Sequence, residues 1–338
     1  MQTASKINTF AWNRSRELQL WATRAIGYHG TMNSFCTDLP KAELHLHLEG
    51  SVEPQTLLEM EPSLDPAEVA ARYQYQDFLG FLKSYAWITK YLRGPEQYAL
   101  ITKRLLERLR AQNVPYAEIN VSAGVMLWRA QEFGPIYDAI QRAAAGSGVQ
   151  VYWILDAVRQ FGVEAAQQVA ELAAERVGDG ITGFGIGGDE ARGPAELFAG
   201  VFQYARGKGL HLVPHAGESV GPESIWAALK LGAERIGHGI RAVDDPDLME
   251  HLRREDIPLE VCISSNLCTG VVKSLPEHPV RKLFDAGVPI VLNSDDPPMF
   301  HTTLTREYEI AAAHFGFSEA ELRQLAANSF RYAFHYNG

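Results

Sequence analysis

Short extended apolar segments alternate with helical ones from residue 42 to residue 330, and this alternation limits the fold more than any other feature. Segments 42–47, 116–121, 149–155, 181–186, 211–215, 235–238, 259–263 and 290–293 read as strands. Helical patterns fill 135–145, 161–176, 194–208, 220–231, 244–253 and 278–286, with 303–313 and 318–330 closing the chain. Strands that alternate with helices build a parallel sheet. Eight such units, with no Ser/Gly linker, low-complexity tract or short solenoid repeat between them, predict an α/β fold of the (β/α)8 TIM-barrel type. A doubly wound open sheet is the alternative, but no GxGxxG opens a helix after an early strand. The interval between the first two strands is long. Pro54 to Leu58, Phe78 to Leu82 and the amphipathic stretch from Pro95 to Leu109 predict a helical insertion there, placed to roof a site.

Residues 36–338 read as a single barrel domain, and 338 residues at 46% hydrophobic content suffice for one core. Residues 1–35 read as an N-terminal extension, with Lys6, Arg14, Arg16 and Arg24 among Ser, Thr and Asn. Met32, just ahead of the first strand, reads as the natural start. Charged residues within Glu17–Ile26 interrupt any signal-peptide core, and no apolar run approaches the ~20 residues that span a bilayer. The net charge of −10 argues against nucleic acid as a partner, although a local pocket can still take a small anion. Cys36, Cys262 and Cys268 form no CxxC pair, and an odd number argues against a disulfide framework. A reduced, cytoplasmic protein is expected; the sequence leaves the oligomeric state open.

Chemistry in such a barrel belongs at the carboxyl ends of the strands. In Leu44-His45-Leu46-His47-Leu48 the leucines fall on one side and the two histidines on the other. Imidazoles at i and i+2 suit a single metal ion, and the leucine face needs helices behind it. Gly187-Gly188-Asp189-Glu190 ends strand four, His215-Ala216-Gly217-Glu218 strand five, and Gly237-His238-Gly239 strand six. Ser264-Ser265-Asn266 ends strand seven and Asn293-Ser294-Asp295-Asp296 strand eight. His45, His47 and His215 with Asp295 form a nitrogen/oxygen set suited to zinc, with iron or manganese also compatible. Strand four carries no lysine to bridge two metals, so one ion per chain is expected. Glu218 follows a glycine turn after a ligand and can act as general acid or base, although a carboxylate at a helix N-terminus reads the same way. His238 stands between two glycines with room for a water or substrate; a packed core histidine is the plainer alternative. The other histidines, His278 among them, are expected to be surface or packing residues.

HLHLEG, HAGE, GHG and SDDP, in this order, resemble the adenosine/adenine/aminofutalosine deaminase group of the metal-dependent hydrolases. The resemblance runs from about Leu39 to the C-terminus. It implies one zinc held by His45, His47, His215 and Asp295, with hydroxide attacking C6 of a 6-aminopurine and ammonia leaving. Glu218 would protonate N1, and His238 would help take the proton of the water and orient it. Asp296 would meet N7 and the Gly188 N–H would meet N3. The deaminase class with an HxE…PCxxC site is excluded by its missing cysteine pair.

Within the group, adenosine deaminases usually carry Asp at the position of Glu49, where it meets the ribose 5′-hydroxyl. The longer Glu49 is expected to face that end of the substrate from the cavity side and to disfavour a plain 5′-hydroxyl. Adenine deaminases share the Glu but usually follow strand two with Pro-Gln-x-His, absent from Val121-Ser122-Ala123-Gly124-Val125. This turn and Gly185-Ile186-Gly187-Gly188-Asp189-Glu190 look most like the branch that deaminates 6-aminodeoxyfutalosine in menaquinone biosynthesis. Its substrate carries an aryl carboxylate, for which Arg159 or Lys83 is the expected cation and Phe78, Phe81, Leu82, Tyr85 and Trp87 the expected apolar cover. Adenosine or adenine deamination is the alternative. More distant are a catalytically silent binding protein of the same fold and a metal-dependent phosphoesterase.

Overall fold

A computed structural model describes residues 29–336. Eight parallel strands stand in sequential order: β1 (Ala42–His47), β2 (Tyr116–Val121), β3 (Gln150–Val158), β4 (Ile181–Gly187), β5 (His211–Ala216), β6 (Ile236–His238), β7 (Leu259–Val261) and β8 (Ile290–Leu292). Helices surround them, as expected of a (β/α)8 barrel. β8 forms no ladder with β1, and the residues after it close the ring. Leu46 bridges Asp295; His47 N donates to Asp295 O and Asp295 N to His45 O, both at 2.9 Å. The Asn293 side-chain oxygen accepts from Leu44 N at 2.9 Å and His45 N at 3.2 Å. The closing seam is therefore made of the site's own residues.

The alternation in β1 works as the sequence implies. Leu44 packs outward with Ala42, Tyr116 and Val291 against Phe330 and Tyr336, while Leu46 and Leu48 join the main core. Each such leucine contributes roughly 1.5–3 kcal/mol when fully buried. Glu43, His45 and His47 point inward instead, so the barrel interior is polar and must be paired. Arg235 Nη2 meets Glu118 at 2.5 Å, and its Nε meets Glu260 at 2.6 Å. Ser294 donates to Glu43 through its hydroxyl at 2.6 Å and its backbone N–H at 3.1 Å.

β7 ends earlier than the sequence suggests. A helix begins at Ile263 and runs to Cys268, with the Ser264 N–H donating to the Glu307 carboxylate at 3.2 Å. Ser264, Ser265 and Asn266 thus lie on a helical turn beyond the strand.

The insertion after β1 comprises helices Pro54–Met60, Pro66–Arg72, Phe78–Thr89 and Pro95–Ala111. Proline occupies the first turn of three of them, where no backbone N–H is needed. Asp65 and Asp77 cap the middle two by accepting from Ala67 N and Gly80 N.

At the N-terminus a helix, His29–Asp38, crosses the boundary expected at 35/36. Cys36 is fully buried, and Met32 and Phe35 pack against the core. The buried Lys41 ammonium ties this helix down, donating to Cys36 O, Leu39 O and Gln112 O at 2.8, 3.1 and 2.6 Å. Most of the expected N-terminal extension, residues 1–28, lies outside the described residues. Among the described residues no helix is long and apolar enough to cross a membrane.

Candidate active site

His45 and His47 reach the top of the barrel from β1, His215 from β5, and Asp295 from the turn after β8. His47 Nε2 lies 3.2 Å from His215 Nε2, and Asp295 Oδ1 lies 3.5 Å from His47 Nε2 and 3.8 Å from His45 Nε2. Atoms bound ~2.1 Å from one tetrahedral centre stand about 3.4 Å apart, so this spacing fits a single ion. His45 Nε2 is buried with no hydrogen-bond partner, a donor atom that a cation would satisfy. On its other side His45 Nδ1 meets Glu260 Oε2 at 2.7 Å, which turns Nε2 toward the centre. Cys262 Sγ also lies near His45 and Asp295. Burial holds that thiol far above its ordinary pKa and it faces Glu260 O, so it does not join the set.

Burial depresses His47 to about 4 and holds His215 well below its ordinary value, keeping both rings neutral and able to ligate. Burial would raise Asp295, but the surrounding His238, His45 and His47 outweigh it and keep the carboxylate ionised. Its backbone, like that of His238, is left-handed (φ 61° and 60°), a conformation non-glycine residues hold only where the surroundings impose it.

Glu218 stands on the far side of this cluster. Glu190 holds the turn that carries it, accepting from the backbone N–H groups of Gly217, Glu218 and Ser219 at 2.8–3.0 Å. Burial, then the nearby Asp295 and Glu190 charges, pushes the Glu218 carboxyl well above the ordinary range and keeps it protonated. His238 Nε2 lies 3.8 Å from Glu218 and 3.9 Å from Asp295. Its tautomer is set from behind. Val280 N donates to His278 Nδ1, so His278 Nε2 carries the proton and donates to Asn266 Oδ1 at 3.1 Å. The Asn266 amide then donates to His238 Nδ1 at 3.2 Å. His238 therefore presents Nε2–H to the cavity, as a donor rather than a base.

Asp296 is buried, and burial with the adjacent Asp295 charge keeps it protonated. It occupies space that only Gly50 leaves open, since a Cβ there would overlap Asp296 Oδ1. The cavity opens outward from these groups between Phe78, Phe81, Leu82 and Tyr85 on one wall and Gly187, Gly188 and Gln160 on the other. Its mouth is lined by Trp128, Arg129 and Phe161.

The profile of the adenosine deaminase family matches residues 40–337. Aminodeoxyfutalosine deaminase of Streptomyces coelicolor is 38% identical over 317 residues, covering 90% of this chain and 82% of that protein. Adenine deaminase of Rhizobium leguminosarum bv. trifolii is 38% identical over 306 residues, 88% and 95% of the two chains. A Burkholderia ambifaria amidohydrolase structure with bound zinc superposes at a TM-score of 0.85 and 26% identity, covering 91% of this chain and 90% of its own. The chain belongs to the adenosine deaminase family. Membership accounts for the barrel and for the placing of its polar residues at the strand ends.

Several expected site residues fall elsewhere. Alternation does not carry Glu49 into the cavity, because a 3-10 turn begins at that residue. The fully buried carboxylate lies behind Ser122, accepting its N–H at 3.1 Å, and burial raises it to about 7. Ser122 faces the cavity in its place and bonds Tyr85 Oη at 2.7 Å. Arg159 is 2% exposed, and its guanidinium donates to Gly193 O and His215 O at 2.5 Å each. It braces the strand that carries His215 and does not line the cavity. Lys83 points to solvent. Trp87 meets Tyr91 edge to face, because the 3–4 spacing of Phe78, Phe81, Leu82 and Tyr85 puts it on the other face of their helix.

Three positions, Arg129, Asp156 and Glu260, had no reading in the sequence, and His278 was expected only to pack or to face solvent. Arg129 lines the cavity mouth with its Nε buried and unpartnered. Glu260 and His278 bond neighbours far away in sequence, His45 and Asn266, and Asp156 lines the cavity. Their only sequence signal is a charge or imidazole inside an otherwise apolar strand or turn.

Proposed function

We propose that the protein is a zinc-dependent hydrolytic deaminase of a 6-aminopurine nucleoside, and that its substrate is the 6-aminodeoxyfutalosine of menaquinone biosynthesis. His45, His47, His215 and Asp295 would hold one zinc, which when bound activates a water for attack on C6 at neutral pH. Glu218, kept protonated by its burial, delivers a proton to N1 as that bond forms. The Nε2–H of His238 orients the attacking water and stabilises the charge developing on its oxygen. Asp296, protonated, donates to N7, and the Gly188 N–H meets N3. Of the two protons of the attacking water, one restores Glu218 and the other passes to the amino group, which departs as ammonia and leaves a 6-oxopurine.

The observation that carries the substrate is the far end of the cavity. Beside the site residues, the lining includes Phe78, Phe81, Tyr85, Trp128 and Phe161 and the cation Arg129. Arg129 Nη2 donates to Ala86 O at 2.8 Å and to Thr89 Oγ1 at 3.4 Å, and its Nε is without a partner. An aryl carboxylate on the 5′ side fits both the apolar wall and the cation, whereas adenine would leave this end empty. Burying such a tail contributes a few kcal/mol at ~25 cal/mol per Å². The adenine deaminase relatives, at equal identity, support adenine as the second reading.

Parallel ammonia-release assays on aminodeoxyfutalosine, adenosine and adenine decide between them. The expected result is kcat/KM at least ~100-fold higher for aminodeoxyfutalosine, narrowing by ~10-fold or more in Arg129→Gln. Equal or higher efficiency on adenosine or adenine overturns the substrate. Elemental analysis should find about one zinc per chain, and chelation should abolish turnover.

A further inference from the structure

The glycines of β4 leave room for a carboxylate to reach across the strand. Asp156 on β3 pairs in register with Gly185 on β4, and Gly185 pairs with Val213 on β5. His215 lies two residues beyond Val213 on the same face. Gly183, Gly185 and Gly187 share the facing side of β4, so no side chain separates Asp156 from His215. A Cβ on Gly185 would stand 3.0 Å from Asp156 Oδ1. One on Gly187 would stand 3.1 Å from Asp156 Oδ2 and 3.5 Å from His215 Nδ1. The two side chains thus border the same point, without a hydrogen bond between them.

Each also has an unmet need. His215 Nδ1 is buried with no hydrogen-bond partner, and so is Asp156 Oδ1. His45, by contrast, has Glu260 on its Nδ1. A neutral imidazole that ligates through Nε2 must carry its proton on Nδ1, and a buried N–H without an acceptor costs free energy.

We propose that Asp156 is the positioning carboxylate of His215, accepting the Nδ1–H while Nε2 holds the metal. It plays on one side of the site the part that Glu260 plays on the other. The glycine-rich β4 is then a spatial requirement, because any side chain at 185 or 187 would displace the carboxylate. The proposal rests on the metal reading of the four ligands.

The test compares zinc-loaded wild type, Asp156→Ala and Asp156→Asn. Zinc transfer to a colorimetric chelator is followed in time, with kcat, KM, the visible spectrum of the cobalt-substituted forms and the Tm of the apo forms measured alongside. Zinc should leave Asp156→Ala ~10–100-fold faster than wild type. Asp156→Asn should fall between, since its amide oxygen still accepts but carries no charge. The cobalt spectrum should shift, and kcat should fall with KM little changed. The apo Tm should not fall, because the substitution removes an unpartnered buried carboxylate. Wild-type zinc retention in Asp156→Ala overturns the proposal, and a rise in KM alone would make Asp156 a substrate contact instead. Active wild type without zinc on elemental analysis sinks the metal reading and this proposal together, whereas unchanged retention sinks this proposal alone.

Discussion

Replacing Glu218 with glutamine separates proton delivery from every other function of the site. The two side chains are nearly isosteric, and the Glu190 carboxylate that holds the turn bonds only its backbone. Glutamine can still donate a hydrogen bond toward N1 but cannot transfer a proton. General acid catalysis is worth ~10²–10⁴-fold, so kcat should fall by at least ~10², about 2.7 kcal/mol of barrier. Zinc content and KM should barely change. The pH profile gives a second reading. Burial holds Glu218 protonated, so wild-type activity should be full below its raised pKa and fall as pH rises through it. That limb should vanish in the variant. Stability follows the same sign. The raised group contributes stability that is present below the unfolded value of about 4.3 and is lost as pH rises toward the folded pKa. Apo Glu218→Gln avoids that loss and should melt above apo wild type at pH 7, with the gap closing near pH 4. Near-wild-type kcat with full zinc, or a lower apo Tm at neutral pH, would refute the assignment.

Two further substitutions probe residues whose placement only the fold reveals. Arg159→Ala leaves the buried carbonyls of His215 and Gly193 without donors and should cost about 3 kcal/mol or more in denaturant unfolding, with loss of zinc. A change confined to KM would instead make Arg159 a substrate residue. Gly50→Ala drives a methyl into Asp296 and should cost ~1–3 kcal/mol together with most of kcat/KM; a variant as stable and active as wild type would show that Asp296 has room to move.

The sequence alone determined the parts governed by local periodicity. The i, i+2 spacing puts His45 and His47 on one face of β1 and the leucines on the other, wherever that strand goes. Eight alternating strands and helices left little choice but a barrel, and a barrel sends His215, Glu218, His238 and Asp295 to one end. The tertiary structure decided which side chains meet, since that depends on register between strands and on where a strand stops. Glu49 missed the cavity because β1 breaks into a 3-10 turn one residue too early. Arg159 looked free for a substrate, yet two carbonyls distant in sequence claim its guanidinium. Arg129 reached the cavity mouth, and His278 became part of the active site through Asn266 and His238. No local pattern marks Asp156 as a partner of His215. They border one point only because the barrel lays three strands side by side and the middle one presents glycine.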